Sequence, residues 1–242
     1  MNIKFKNSFI NITNENEYLN NILSALNNNQ CKTFFYLNSY SFYLANKNKD
    51  FYKALNKADY IIADGYSIVL LAKLLKKIKI EKVVFTYLFS DKIFKLLKDN
   101  KIFILGGKQR IIEKASDILT NKYNLNIVGF SNGYFDNNEE MVKKIHSTSA
   151  DVMICGMGMP KSEIWIQNNL SKLKLKCVFS VGSFFNFLVK NRKQAPKIFY
   201  NSGFEWVYRL YQEPKRLFKR YFFANTYFLF YFIKNIIKNV FK

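Results

Sequence analysis

The sequence predicts an α/β protein: a mostly parallel sheet with helices on both faces, followed by a basic helical appendage. Three observations carry this. Short apolar runs alternate with helix-like segments, the pattern of βαβ units. Several of those runs end in Gly, Asn or Asp, and an open α/β sheet places its ligand in the crevice beyond the carboxyl ends of its strands. From about Lys190 the texture changes, with twelve Lys or Arg against two acidic residues, Glu205 and Glu213, through to Lys242.

In chain order the strand candidates are TFFYLN (33–38), ending at Asn38, and YIIAD (60–64), ending at Asp64. They continue with KIFILGG (101–107), NIVGF (126–130), DVMICGMG (151–158) and CVFSVGS (177–183). Each leads into a helix-like segment, so the candidate chemistry belongs in the loops that follow the strands. The last element is a helix over 221–242. Phe222, Leu229, Phe230, Ile233, Ile236, Ile237 and Val240 recur there at helical spacing, opposite Lys234, Asn235, Lys238 and Lys242. Such a cationic amphipathic helix suits a membrane interface or a partner groove. The division expected is a catalytic α/β domain over 1–196 and a basic, aromatic-rich appendage over 197–242.

At 242 residues, 49% hydrophobic and 18% aromatic, the chain has ample material for a core, which excludes a disordered or fibrous protein. A formal net charge of +21 selects anionic partners: nucleic acid, lipid headgroups or phosphorylated small molecules. Cys31, Cys155 and Cys177 are far apart in apolar stretches without CxxC or Cys/His spacing, so they read as buried thiols and not as metal ligands. The first residues lack a signal peptide's apolar run and cleavage site. The longest uncharged runs, 33–46, 177–189 and 221–233, fall short of the roughly 20 residues a spanning helix needs.

GMGMPKSE (156–163) follows an apolar strand and opens a helix. Its glycines admit close backbone approach, Pro160 suits a first helical turn, and amides there attract phosphate; a tight structural turn needs the same small residues. The LGG of 105–107 carries less information still. Asp64, before Gly65, would stand at the ligand edge of the sheet, where a carboxylate can take a proton from an attacking hydroxyl. Capping the next helix is the more frequent role of such an Asp. His146, the one histidine, lies among Lys143 and Lys144 and reads as surface, which disfavours Ser-His-Asp or Cys-His chemistry. In GFEWVYRLYQEPKRLFKRY (203–221), Arg209, Arg216, Lys219 and Arg220 stand among aromatics. Arginine forks bind diphosphate bidentately, and the rings can lie against lipid or sugar.

Taken together these blocks resemble the bacterial WecG/TagA/CpsF glycosyltransferase family (glycosyltransferase family 26). The resemblance rests on Asn38 after the first strand, Ala63-Asp64-Gly65, Leu105-Gly106-Gly107 and Gly133-Tyr134-Phe135. It rests further on Gly156, Gly158, Pro160, Lys161, Glu163 and Trp165, and on Glu205, Trp206, Arg209, Leu210, Glu213, Pro214 and Arg216. It implies a Rossmann-like fold and an inverting, metal-independent transfer from a UDP-sugar, usually of N-acetylmannosamine type, to a polyprenyl-diphosphate-linked sugar, with no cofactor. It also implies that Asp64 is the general base and that Asn38 holds sugar or acceptor. Donor contacts would come from Gly106, Gly107, Tyr134, Gly156, Gly158, Pro160, Glu163, Gly182 and Asn186. Lys82, Arg209, Arg216, Lys219 and Arg220 would take acceptor or diphosphate charge. The implied setting is cytoplasmic and peripheral, on an anionic inner membrane face. No nucleic acid partner is expected, and a homo-oligomer is compatible with the pattern.

The sequence departs from the family pattern at Tyr36 (commonly Thr), Lys82 (Arg), Ser162 (Gln), Asn186 (Asp) and Gln194 (Arg), which points to a different donor sugar or weakened activity. Two other classes compete. A non-catalytic basic module could bind membrane or nucleic acid, although the tail's apolar stripe is too continuous for a solvated RNA-binding helix. A nicotinamide-dependent oxidoreductase needs GxGxxG after the first strand, and YLNSYS stands there instead.

Overall fold

The computed structural model describes residues 2–5, 8–28, 30–65, 68–69, 85–189, 195–196, 199 and 205–240. The chain opens with an antiparallel hairpin of β1 (Asn2–Phe5) and β2 (Ser8–Asn11). No strand is expected this early from the apolar runs, because these two strands of four residues alternate or mix polarity and carry no apolar run. The remaining strands are β3 (Lys32–Leu37), β4 (Tyr60–Ala63), β5 (Ile102–Gly106), β6 (Ile127–Ser131), β7 (Val152–Gly156) and β8 (Cys177–Ser180). Each falls on one of the six apolar runs. They form one all-parallel sheet in the order β4-β3-β8-β7-β5-β6.

Between strands run α1 (Glu15–Leu26), α2 (Ser39–Lys47), α3 (Lys49–Lys57) and α4 (Phe85–Leu88), the last continued by a π-helical turn and α5 (Phe94–Leu97). Then come α6 (Gln109–Asn121), α7 (Asn138–Ser147), α8 (Lys161–Asn169) and α9 (Phe184–Val189). Alternate strand residues feed two buried layers. Phe35, Leu37, Ile61, Ala63, Phe103, Leu105, Met153 and Cys155 enter one, and Phe34, Tyr36, Ile62, Ile102, Ile104, Val152 and Ile154 the other. A parallel sheet covered on both faces reads as continuous apolar runs for this reason. The result is a Rossmann-like α/β fold.

The C-terminal region supplies α10 (Glu205–Gln212) and α11 (Pro214–Val240). The second of these docks on α2. Fully buried Phe42 meets Tyr227, Phe228 and Tyr231 at ring distances of 6.3, 6.0 and 5.0 Å. Tyr43 stacks on Phe223 and meets Tyr227 edge-on. The docked face of α11 is therefore Leu217, Ala224 and Phe228, all buried, while Phe222, Leu229, Phe230 and Ile233 of the expected apolar stripe stay exposed. This helix is apolar on two faces, so periodicity alone could not say which one packs. Phe42→Ala is expected to cost about 3–5 kcal/mol, as for other buried Phe truncations, and denaturant unfolding measures it. No helix among the described residues is long and apolar enough to cross a membrane.

Candidate functional site

The carboxyl ends of β3 and β4 bring Asn38 and Asp64 together. Asn38 caps α2: its Oδ1 accepts from the amides of Tyr40 (3.1 Å) and Ser41 (3.0 Å), and the Ser41 hydroxyl closes the capping box. Its Nδ2 donates to Asp64 Oδ2 at 3.3 Å. Asp64 Oδ1 accepts from the Phe85 amide at 3.0 Å, at the first described residue of α4. Asp64 thus bonds a helix amide 21 residues on. Both hydrogen bonds fix the orientation of the carboxylate. A carboxylate has about four lone-pair positions, so two protein donors leave acceptor capacity for a substrate hydroxyl.

Next to this pair Tyr36 is buried, stacked on Phe85 at 4.6 Å. A Cβ at Gly182, whose φ is +55°, would stand 2.3 Å from the Tyr36 hydroxyl. The large ring found where the family commonly has Thr therefore requires glycine at 182. Burial pushes the phenol well above its ordinary range, and the charges that act on it come from Arg220, Glu163, Asp64 and Arg209. Two of these charges, Arg209 and Arg220, belong to the C-terminal region.

Glu163 lies in the first turn of α8 and is buried. Ser180 donates to its Oε1 at 2.7 Å, and Oε2 has no hydrogen-bond partner among the described residues. Burial pushes its pKa up to about 7, against the opposing pull of the Ser180 hydrogen bond, its own backbone amide and Arg220. The folded state consequently favours the protonated acid. Its contribution to stability is complete below the ordinary carboxyl pKa and is lost as pH rises through about 7. Glu163→Gln is expected to remove roughly 3 kcal/mol of the fall in unfolding free energy between pH 4.5 and 7.5. Denaturant titrations of both proteins across that window measure the difference.

The glycine-bearing loops line the rest of the edge. Gly106 and Gly156 are paired across β5 and β7, and a Cβ at Gly106 would lie 2.3 Å from the Gly156 carbonyl carbon. Gly133 packs against Gly106, and its carbonyl accepts from Lys161 Nζ at 2.8 Å, while its amide donates to Gly107 O at 2.9 Å. The same ammonium stands 5.7 Å from the Tyr134 ring and 5.5 Å from that of Phe135. Tyr134 is 71% exposed, an open ring face beside a cation. Gly158 has open space around it, and Pro160 sits just before α8 after a cis peptide bond. Asn186 is half-buried on α9. Of the basic candidates, Arg209 and Arg220 act on Tyr36 through their charge, and Lys219 is exposed. Lys82 and Gln194, and the side chain of Arg216, lie outside the described residues.

Several sequence readings need adjusting. His146 is half-buried, with Nε2 shielded and unbonded among the described residues. Cys31 is half-buried, while Cys155 and Cys177 are buried; burial pushes the Cys31 and Cys155 thiols up to about 12. Among the described residues no three His, Cys, Asp or Glu side chains gather as metal ligands. Sequence reasoning missed Ser180 as the partner of Glu163 and Tyr40 as a contact of Arg220, whose guanidinium carbon lies 4.1 Å from that ring's centre. No motif marks either residue, because each partnership is made across the fold. Comparison with protein families gives a match over residues 3–241 to the glycosyl transferase WecG/TagA/CpsF family.

Proposed function

The chain belongs to the WecG/TagA/CpsF family of glycosyl transferases, and from that premise we propose that it moves a sugar from a UDP-sugar to a polyprenyl-diphosphate-linked sugar in the synthesis of a cell-surface polymer. The donor is of N-acetylmannosamine type or a related hexose. The reading is carried by one observation: the oriented carboxylate of Asp64 stands at the carboxyl edge of the sheet, beside buried Tyr36, on which the charges of Arg209 and Arg220 act.

In the proposed step the acceptor hydroxyl gives its proton to Asp64 as its oxygen bonds to the anomeric carbon. The bond from that carbon to the UDP phosphate breaks, the electron pair leaves with UDP, and the anomeric configuration inverts. Asn38 holds Asp64 in place through its Nδ2. Arg209, Arg216, Lys219 and Arg220 supply positive charge for diphosphate, a role that fixed cations in a partly dry cleft perform well and that calls for no metal ion. The loops at 106–107, 156–163 and 182–186 receive the donor, with the open face of Tyr134 available for stacking. Residues 1–196 form the catalytic domain, and 197–242 add the diphosphate-binding cations and bring the site to the cytoplasmic face of the membrane through exposed Phe222, Leu229, Phe230 and Ile233.

Titration of the full chain with UDP, ADP and a short RNA at low and moderate salt tests this reading against a simple basic binding module. Saturable, UDP-selective binding that survives moderate salt is expected. RNA binding that fades with salt, without UDP binding, would replace the enzyme reading with the module.

A further inference from the structure

We propose that Tyr40 is a positioning residue whose ring seats Arg220 and leaves the guanidinium donors available to a diphosphate. The inference rests on the diphosphate role given to Arg220 above and adds how that arginine is held. Its guanidinium carbon lies 4.1 Å from the centre of the Tyr40 ring. None of the ion pairs among the described residues includes Arg220, and its Nε is buried without a hydrogen-bond partner there. A carboxylate would hold an arginine by occupying its in-plane N–H groups. An aromatic face holds the same cation from above or below the plane and leaves those groups free. An unpaired, shielded N–H is costly until an acceptor arrives, and the charge of Arg220 already reaches Tyr36 and Glu163 at the cleft. The arrangement suits an anion that enters from the sheet edge.

Tyr40 is itself fixed relative to Asp64. Its amide donates to Asn38 Oδ1 at 3.1 Å, and the same Asn38 donates through Nδ2 to Asp64 at 3.3 Å. One asparagine thereby sets the spacing between the general base and the aromatic seat. The neighbouring Tyr43 stacks on the Tyr40 ring at 6.3 Å and packs on Phe223 and Tyr227 of α11, so it is a control for ring packing and helix docking that carries no cation of its own.

The test titrates the full chain separately with UDP and with farnesyl diphosphate at fixed salt, using calorimetry, with near-UV dichroism as the check on folding. Tyr40→Leu is expected to weaken at least one diphosphate about tenfold, while Tyr40→Phe, which keeps the ring, and Tyr43→Leu stay within about twofold of the parent. In an Arg220→Ala background, Tyr40→Leu is expected to add nothing. Tyr40→Met, of similar length, stands in if the leucine variant misfolds. Weakening of farnesyl diphosphate alone assigns the seat to the acceptor, weakening of UDP alone assigns it to the donor, and both outcomes support the proposal. If Arg220→Ala weakens binding but Tyr40→Leu does not, or Tyr43→Leu weakens it equally, the seat is overturned and the role of Arg220 stands. If Arg220→Ala has no effect on either ligand, or the parent protein binds neither, the diphosphate role falls and the seat falls with it.

Discussion

Asp64→Asn is expected to lower kcat by about 10²–10⁴-fold, the range a positioned general base supplies, while the dissociation constant for UDP changes little. The substitution is nearly isosteric, so the Phe85 amide that now bonds Asp64 Oδ1 keeps an acceptor in the amide oxygen. The other side of the group changes character. An amide nitrogen would face Asn38 Nδ2, which now donates to Asp64 Oδ2 at 3.3 Å, and two donors cannot satisfy one another. That lost hydrogen bond is worth about 1 kcal/mol, too little to unfold a domain with two continuous buried layers. The large effect therefore falls on chemistry, since an amide cannot take the acceptor's proton. Single-turnover measurements with UDP binding measured in parallel separate the two. Parent-like turnover in the variant would remove Asp64 from the role of base.

Replacing Phe222, Leu229 and Phe230 together by Ser is expected to reduce association with anionic vesicles about a hundredfold. These side chains are 58%, 57% and 68% exposed, so each has roughly half of its apolar surface still to bury in lipid. At about 1 kcal/mol for each half-buried side chain, the three sum to the free energy of a hundredfold change in partitioning. Because α11 docks through Leu217, Ala224 and Phe228 on its other face, unfolding stability should change little. Cosedimentation with anionic and neutral vesicles at two salt concentrations reads both the apolar and the electrostatic parts. Association equal to the parent's would reject the helix as the membrane contact.

The sheet was legible because its central strands β3, β8, β7 and β5 are buried and left long apolar runs. The placement of the sheet-edge residues was legible in part for a related reason: Asn38, Asp64 and the glycines follow directly where the apolar runs stop. What stayed hidden was created by partners distant in the chain. Asp64 looks like a local cap, yet the amide it bonds is that of Phe85. Glu163 reads from the sequence as a loop residue, and only the fold buries its carboxyl against Ser180. The two apolar faces of α11 merge into one stripe in sequence, and only Phe42 and Tyr43 distinguish the docked face from the exposed one. Tyr36 and Gly182 illustrate the same limit. As letters they are a departure and a turn glycine, and in space the phenol fills the room that a side chain at 182 would need.

The most direct measurement is a transfer assay with the full chain, a panel of UDP-sugars that includes UDP-N-acetylmannosamine, and a lipid-diphosphate-linked N-acetylglucosamine acceptor, read by product mass. A product heavier by one sugar residue, formed with release of UDP, is the predicted result, and it identifies the donor at once. No product from any donor, with folded protein and an acceptor that a related enzyme extends, would contradict the proposed transfer and turn Tyr36, Lys82, Ser162, Asn186 and Gln194 into marks of lost catalysis.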